Sequence, residues 1–239
     1  MNKKLYKLYA NDIYEYFNKH VTVQDRARGK LFKMDMNSWK DKVLKSNKLL
    51  IKKVRQVGVS ELIAAEIAYN LNFKPNYNML YVVPNSSMAT YQMQKVVRQF
   101  SSIPDNLRVG LAALKMKGYY ATTIKSQVQF TEAFDGLGVA CSYDAIYMEE
   151  VDFMKSFERT YQGVMPCLAY AKNPRLIITT TPSGKTSYFD NLWANKTHFN
   201  KLEVSTKTVN FAKEIIRKHS LNDINKTQYS KIIRECAIS

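Results

Sequence analysis

The sequence predicts an α/β domain built on a mainly parallel central sheet with helices on both faces. Three observations carry this. From Leu49 onward, short apolar runs alternate with longer stretches of helical periodicity. The runs Met79–Val83 and Ala145–Met148, and the β-branched stretch Arg175–Thr180, lack the in–out alternation of a one-sided sheet, so both of their faces are expected to be buried. Eight glycines and six prolines are scattered singly, without linker or repeat, so the 239 residues read as one compact unit.

The elements follow in order. Leu5, Leu8, Tyr9, Ile13, Tyr16 and Phe17 recur at helical spacing and predict an amphipathic opening helix. Val21–Val23 and Leu31–Met34 flank the basic turn Arg26–Gly29 and predict a short hairpin, followed by a helix over Ser38–Leu44. Residues 1–48 thus form a helical and hairpin lead-in to a core spanning 49–239. Leu49–Val54 is the first buried strand. Gly58 lets the chain turn, and Ser60–Asn72, almost continuous in Leu, Ile and Ala, is a helix packed inside the fold. Met79–Val83 is the next strand, after which Ser86 is positioned to cap a helix over Met88–Phe100. Residues 105–132 read as short strands and turns. Ala145–Met148 and Arg175–Thr180 are strands with a helix, Ser156–Met165, between them. Tyr188–Trp193 reads as helical, Leu202–Val204 as extended, and Phe211–Lys218 and Lys226–Cys236 as helical.

Composition narrows the function classes. Hydrophobic residues at 46% and aromatics at 12% exclude wholesale disorder. No stretch approaches the roughly eighteen apolar residues of a membrane span. Lys7, Asn11 and Asp12 interrupt the basic amino terminus, which therefore does not read as a signal peptide. Cys141, Cys167 and Cys236 form no C-x-x-C pair, so neither a disulfide framework nor a Cys-rich zinc site is expected, and the setting reads as intracellular. Lys plus Arg number 36 against 20 acids, a net charge of +16, which favours a polyanionic partner with nucleic acid first. AT-rich coding alone would also enrich lysine, asparagine and tyrosine. No run of like charges marks a basic tail.

Ligands of such sheets bind at the carboxyl ends of the strands, here the loops after Val54, Val83, Met148 and Thr180. In LLIKKVRQVGVSELIAAEI, a strand, a short loop and Gly58-x-Ser60 opening a helix form the layout of a phosphate cradle. The usual P-loop, G-x-x-x-x-G-K-[S/T], is incomplete: Val59 stands at the lysine position and Lys53 at the first glycine. Lys53, at the loop entrance, is long enough to replace the missing charge. Arg55 inside the loop is costly at the edge of a buried sheet without an anion to pair, and Ser60 offers a hydroxyl to Mg²⁺. A plain strand–turn–helix is the simpler alternative. Glu149 and Glu150 end a buried strand as adjacent carboxylates, and their mutual repulsion is relieved by a cation or a catalytic task. One would hold the metal while the other orients water. Thr179, Thr180 and Thr181 close the next strand and place hydroxyls at the same sheet edge; threonines are also ordinary strand formers.

In order, KKVRQVGVS, YVVPNSSMATYQ, AIYMEEVDF and IITTTPSGKTSYFDNLW resemble the amino-terminal ATPase domain of the large terminase subunit of tailed bacteriophages. The resemblance covers roughly residues 11 to 238. It implies a P-loop NTPase of the ASCE type, with ATP and Mg²⁺ as cofactors. Residues 53–60 (Lys53, Val54, Arg55, Gln56, Val57, Gly58, Val59, Ser60) become the Walker A loop, with Arg55 as an in-cis arginine finger and Ser60 as a Mg²⁺ ligand. Glu149 becomes the other metal ligand and Glu150 the catalytic carboxylate. Thr179, Thr180 and Thr181 become the motif coupling hydrolysis to DNA movement. The implied partners are double-stranded DNA, the portal protein, the small terminase subunit and further copies in a ring, with no membrane. The implied location is the host cytoplasm, transiently on the procapsid portal rather than in the mature virion.

Four departures accompany the resemblance. No glutamine stands near Asn37–Ser38–Trp39 to read adenine, and FDGLGVACSYDA lacks an arginine. Glu149 replaces an aspartate. The family's carboxy-terminal nuclease is not in this sequence, which leaves room for a separate nuclease chain. Two alternatives follow: a catalytically impaired terminase fragment that binds DNA or portal, and a helicase-like ATPase outside packaging.

Overall fold

The computed structural model describes residues 3–25, 30–34, 36, 38–115, 117–138, 141–184, 186–195 and 198–205. Two helices, α1 (Lys3–Asn11) and α2 (Ile13–His20), lead into the hairpin β1 (Thr22–Asp25) and β2 (Lys30–Lys33) and helix α3 (Ser38–Lys45). The expected single opening helix is corrected here. The chain breaks at Asp12, which adopts an extended backbone and accepts hydrogen bonds from the amides of Tyr14 (2.9 Å) and Glu15 (3.0 Å). Its carboxylate caps α2 in place of continuing α1. The turn Arg26–Gly29 and the two carboxy-terminal helices expected over Phe211–Lys218 and Lys226–Cys236 lie outside the described residues.

The core follows as β3 (Lys48–Lys53), α4 (Val59–Phe73), β4 (Asn78–Val83), α5 (Ser86–Ser101), β5 (Leu111–Ala113), β6 (Gly118–Ala121) and β7 (Ser126–Glu132). It continues through β8 (Ala145–Glu149), a 3-10 turn over Val151–Phe153, α6 (Phe157–Val164), β9 (Arg175–Thr180), α7 (Tyr188–Asn195) and β10 (Asn200–Val204). Ser86 does not cap α5. Asn85 does, its side chain accepting from the Met88 amide at 2.9 Å, and Ser86 is the first helical residue.

Eight strands form one sheet in the order β10-β3-β9-β8-β4-β7-β6-β5. All pairings from β10 to β7 are parallel, and β6 and β5 are antiparallel additions at the edge. The period-2 alternation of the strands divides their side chains between two cores. Leu49, Ile51, Met79, Tyr81, Tyr147 and Ile177 pack on the face covered by α1, α2, α4 and α5. Leu50, Leu80, Val82, Ile146, Met148, Leu176 and Ile178 pack on the opposite face, with α6 and α7. Burial on both faces is why these strands read as continuous apolar runs. The lead-in joins the first core: Tyr16 packs against Tyr69 (5.4 Å between ring centroids) and Phe73 (5.3 Å) of α4.

α4 is buried around most of its circumference, so its polar residues need internal partners. Glu66 accepts from Tyr147 Oη at 2.9 Å and from Arg175 Nη2 at 2.6 Å. Arg175 Nη2 also donates to the Val43 carbonyl at 3.0 Å, tying α3 to the start of β9. Arg175 Nε lies in ion-pair contact with Glu66 but off-line for a hydrogen bond. Removing one partner strands the other's charge in the core, at a cost of about 3–5 kcal/mol. Glu66→Ala is therefore expected to lower the melting temperature by on the order of 10 °C. A shift of less than about 2 °C in a thermal melt would contradict this reading of the pair.

Candidate nucleotide site

The central strands end side by side. Lys52 pairs with Thr180 across β3 and β9, and Glu149 pairs with Thr179 across β8 and β9. Three of the loops singled out in the sequence therefore meet at one sheet edge.

The loop after β3 is set by its backbone. The Val54 amide donates to the Val204 carbonyl at 3.0 Å, fixing the loop entrance against β10. Gln56 (φ 63°) and Gly58 (φ 88°) are left-handed, which turns the chain sharply into α4. Gly58 offers no side chain to cap α4, so the first-turn amides, which lack intrahelical partners, remain for a ligand. A Cβ added at Gly58 would meet nothing within 4 Å, so the space above the turn is open. Val57 and Val59 point into the first core. Arg55 is exposed, and the cost attributed to it from the sequence, that of a cation at a buried edge, does not arise.

The pleat separates the two lysines of β3. Lys53 is buried. Its Nζ forms an ion pair with Glu150 Oε1 and donates to Thr181 Oγ1 at 3.3 Å. Lys52 leaves on the other face, with Nζ 2.8 Å from Asp190 Oδ1 and 4.9 Å from the centre of the Trp193 ring. The Lys52 hydrogen bond holds the Asp190 carboxyl below the ordinary aspartate range. That contribution is present above the ordinary aspartate pKa and lost as pH falls through the lowered value.

The two acids diverge. Glu149 stays on the strand and points toward α4 and α5. Its Oε1 meets Ser60 Oγ, and its Oε2 accepts from Tyr81 Oη at 2.5 Å and Gln92 Nε2 at 2.7 Å. Glu150 takes a left-handed backbone (φ 57°, ψ 46°), strained for a glutamate, that swings its carboxylate toward Lys53 and Thr181. The Thr181 amide donates to Glu150 Oε2 at 3.0 Å and Thr181 Oγ1 donates to Oε1 at 3.2 Å. The residues predicted to work together thus come together: Lys53 with Glu150 and Thr181, and Ser60 with Glu149.

The remaining threonines differ from one another. Thr180 Oγ1 accepts from the Asp152 amide at 3.2 Å. Thr179 Oγ1 is buried, without a hydrogen-bond partner among the described residues. Asp152 in turn accepts from Ser187 Oγ at 2.8 Å and the Ser183 amide at 3.3 Å, joining the loop after β9 to the turn after β8.

Sequence reasoning missed Tyr81, Gln92 and Asp152. For Gln92 a signal was present: it lies three residues after Ala89 and four before Val96, on the stripe of α5 that faces the core, where an apolar residue belongs. Burial first, then the Glu149 carboxylate, pushes the Tyr81 phenol well above the ordinary tyrosine range, so its hydroxyl remains a donor.

Glu149 is 1% exposed and has no cationic partner among the described residues. A buried carboxylate oxygen facing a serine hydroxyl is a donor set suited to a hard divalent cation such as Mg²⁺. Among the described residues no cluster of three or more His, Cys, Asp or Glu forms a self-sufficient metal cage. The site fits an ion that completes its shell with water and phosphate oxygens, as Mg²⁺ does.

A glycine-turned loop feeding a helix beside an acid-ended strand of a parallel sheet fits an α/β P-loop NTPase fold. No protein-family model matches the chain. Solved structures do. The large terminase of bacteriophage HK97 superposes with a TM-score of 0.65 at 11% identity, over 96% of this chain and 52% of that one. The large terminase ATPase domain of Thermus phage P74-26 gives 0.61 at 12% identity, over 82% of this chain and 91% of that one. The large terminase of a further, thermophilic bacteriophage, in complex with ATP-γ-S, gives 0.57 at 10% identity, over 77% of this chain and 49% of that one. The chain therefore has the fold of large terminase ATPase domains, and it spans about half the length of the HK97 protein and of the ATP-γ-S-bound terminase.

Proposed function

We propose that this chain is a Mg²⁺-dependent ATPase that serves as the motor part of a phage DNA-packaging machine. The observation that carries the reading is the double bridge between the β3 loop and the acid-ended strand: Lys53 to Glu150, and Ser60 to Glu149. Those contacts support Lys53 as the phosphate-binding cation beside Glu150 as the catalytic carboxylate, and Ser60 and Glu149 as the metal-binding pair.

In this reading Ser60 and Glu149 would hold Mg²⁺, which would neutralise charge developing on the phosphates. The first-turn amides of α4 and Lys53 bind the phosphates. Lys53 exchanges the Glu150 carboxylate for a phosphate oxygen, and Glu150, still held by the Thr181 amide, is released to orient the attacking water. Arg55, exposed in the loop, would stabilise the transition state at the γ-phosphate. Thr179, Thr180 and Thr181 couple this exchange to DNA movement, because Thr181 touches both Lys53 and Glu150 while Thr180 contacts Asp152. In this reading residues 1–48 serve as a lead-in to the ATPase core of residues 49–239, with Tyr16 packed on α4.

The further assignments rest on the shared fold and the charge of +16. The partners are double-stranded DNA, portal protein, small terminase subunit and further copies in a ring. The place of action is the host cytoplasm, on the procapsid portal. Phosphate release from ATP, followed with Mg²⁺ and with EDTA, tests the enzymatic part. Release that requires Mg²⁺ supports it, and none in the presence of DNA and portal opposes it.

A motor must grip duplex without reading it, through phosphate contacts. The isolated chain is expected to bind duplex weakly and without sequence preference, with log affinity falling linearly against log salt. Avidity arises when copies encircle one duplex. Tight, sequence-specific binding in a fluorescence titration would favour a DNA-recognition module instead.

A further inference from the structure

We infer that Tyr81 and Gln92 are positioning residues that fix Glu149 so that its Oε1 is presented to the metal beside Ser60. The inference rests on the ATPase reading above and adds two residues on other elements, β4 and α5, to its machinery.

Glutamate carries one methylene more than aspartate, and with it one more rotatable bond. Left alone, the longer carboxylate would sample several positions. Here Oε2 is gripped by Tyr81 Oη at 2.5 Å and Gln92 Nε2 at 2.7 Å, so the side chain is fixed and Oε1 faces Ser60. Tyr81 is itself immobilised, its ring packed 5.5 Å from that of Phe130 and 6.1 Å from that of Tyr147. Both donors are neutral. They set the geometry without cancelling the carboxylate's charge, which stays available to a cation at Oε1. A lysine or arginine in their place would have consumed it.

Gln92 directs its buried amide nitrogen at the Glu149 carboxylate. Gln92 Oε1 is buried without a hydrogen-bond partner among the described residues. A leucine of similar size would fit the apolar stripe of α5 and leave no orphaned acceptor. The amide is placed where only its Nε2 finds use, on Glu149.

The test compares Tyr81→Phe, Gln92→Leu and Glu149→Asp with the parent protein, reading the ATP dissociation constant by calorimetry in Mg²⁺ and in EDTA, together with the melting temperature. Each of the first two substitutions is expected to weaken binding in Mg²⁺ about tenfold, to leave binding in EDTA unchanged, and to leave the fold intact, with a melting temperature a few degrees lower because the buried Glu149 carboxylate loses a donor. Aspartate at position 149 draws back from both donors, so adding Gln92→Leu to Glu149→Asp is expected to change Mg²⁺-dependent binding less than twofold. Equal losses in Mg²⁺ and EDTA, no loss in either single variant, or a full extra loss in the Glu149→Asp background would each overturn the inference while leaving the ATPase reading standing. A parent protein whose ATP binding ignores Mg²⁺ would overturn both.

Discussion

Glu150→Gln is expected to keep ATP binding and lose hydrolysis, with turnover falling by roughly 10²–10⁴. The amide retains the shape of the carboxylate but cannot orient and polarise water as an anion does. A second effect follows from the pairing of Glu150 with buried Lys53. Without the carboxylate, the Lys53 ammonium is left uncompensated in the nucleotide-free protein, which should melt lower than the parent. ATP supplies a replacement anion, so the variant should gain more stability from ATP than the parent does. Turnover within a few-fold of the parent would remove Glu150 from the catalytic role.

The two lysines of β3 are expected to separate just as clearly. Lys53→Ala removes the buried cation at the loop entrance and should weaken ATP binding about a hundredfold. Lys52→Ala removes a partly exposed pair with Asp190, worth about 0–1 kcal/mol, and should leave ATP binding within about twofold. Its effect belongs to the packing of α7 through Trp193. Equal losses in the two variants, or the reverse order, would mean that the phosphates lie on the other face of the strand.

Much of this fold was legible because its central strands are buried on both faces. A continuous apolar run has few competing readings, and Arg175–Thr180 begins and ends where the sequence places it. The opposed directions of Lys52 and Lys53 follow from the pleat alone. The opening helix was misread because Asp12 falls among other polar residues on an amphipathic pattern. Asp12 and Glu15 have the spacing of a capping box, which was the signal for a break.

The site was legible as far as its strand ends. What was hidden depends on contacts between elements distant in sequence. Glu149 and Glu150 look like one repelling pair, and only the left-handed backbone at Glu150 shows that each has its own partners. Tyr81 reads as a strand former until β4 pairs with β8 and its hydroxyl meets Glu149. Arg55 looked costly because a sequence does not say that its loop opens outward, where the side chain is exposed.

In the proposed function, the loop of residues 53–60 and the acids Glu149 and Glu150 together form one Mg²⁺·ATP site. Calorimetric titration of the purified chain with ATP, in Mg²⁺ and in EDTA, beside the Lys53→Ala variant, tests it most directly. Saturable binding is expected, which Mg²⁺ tightens about tenfold or more and which Lys53→Ala abolishes over the same concentration range. No binding at millimolar ATP, or binding indifferent to both Mg²⁺ and Lys53, would contradict it.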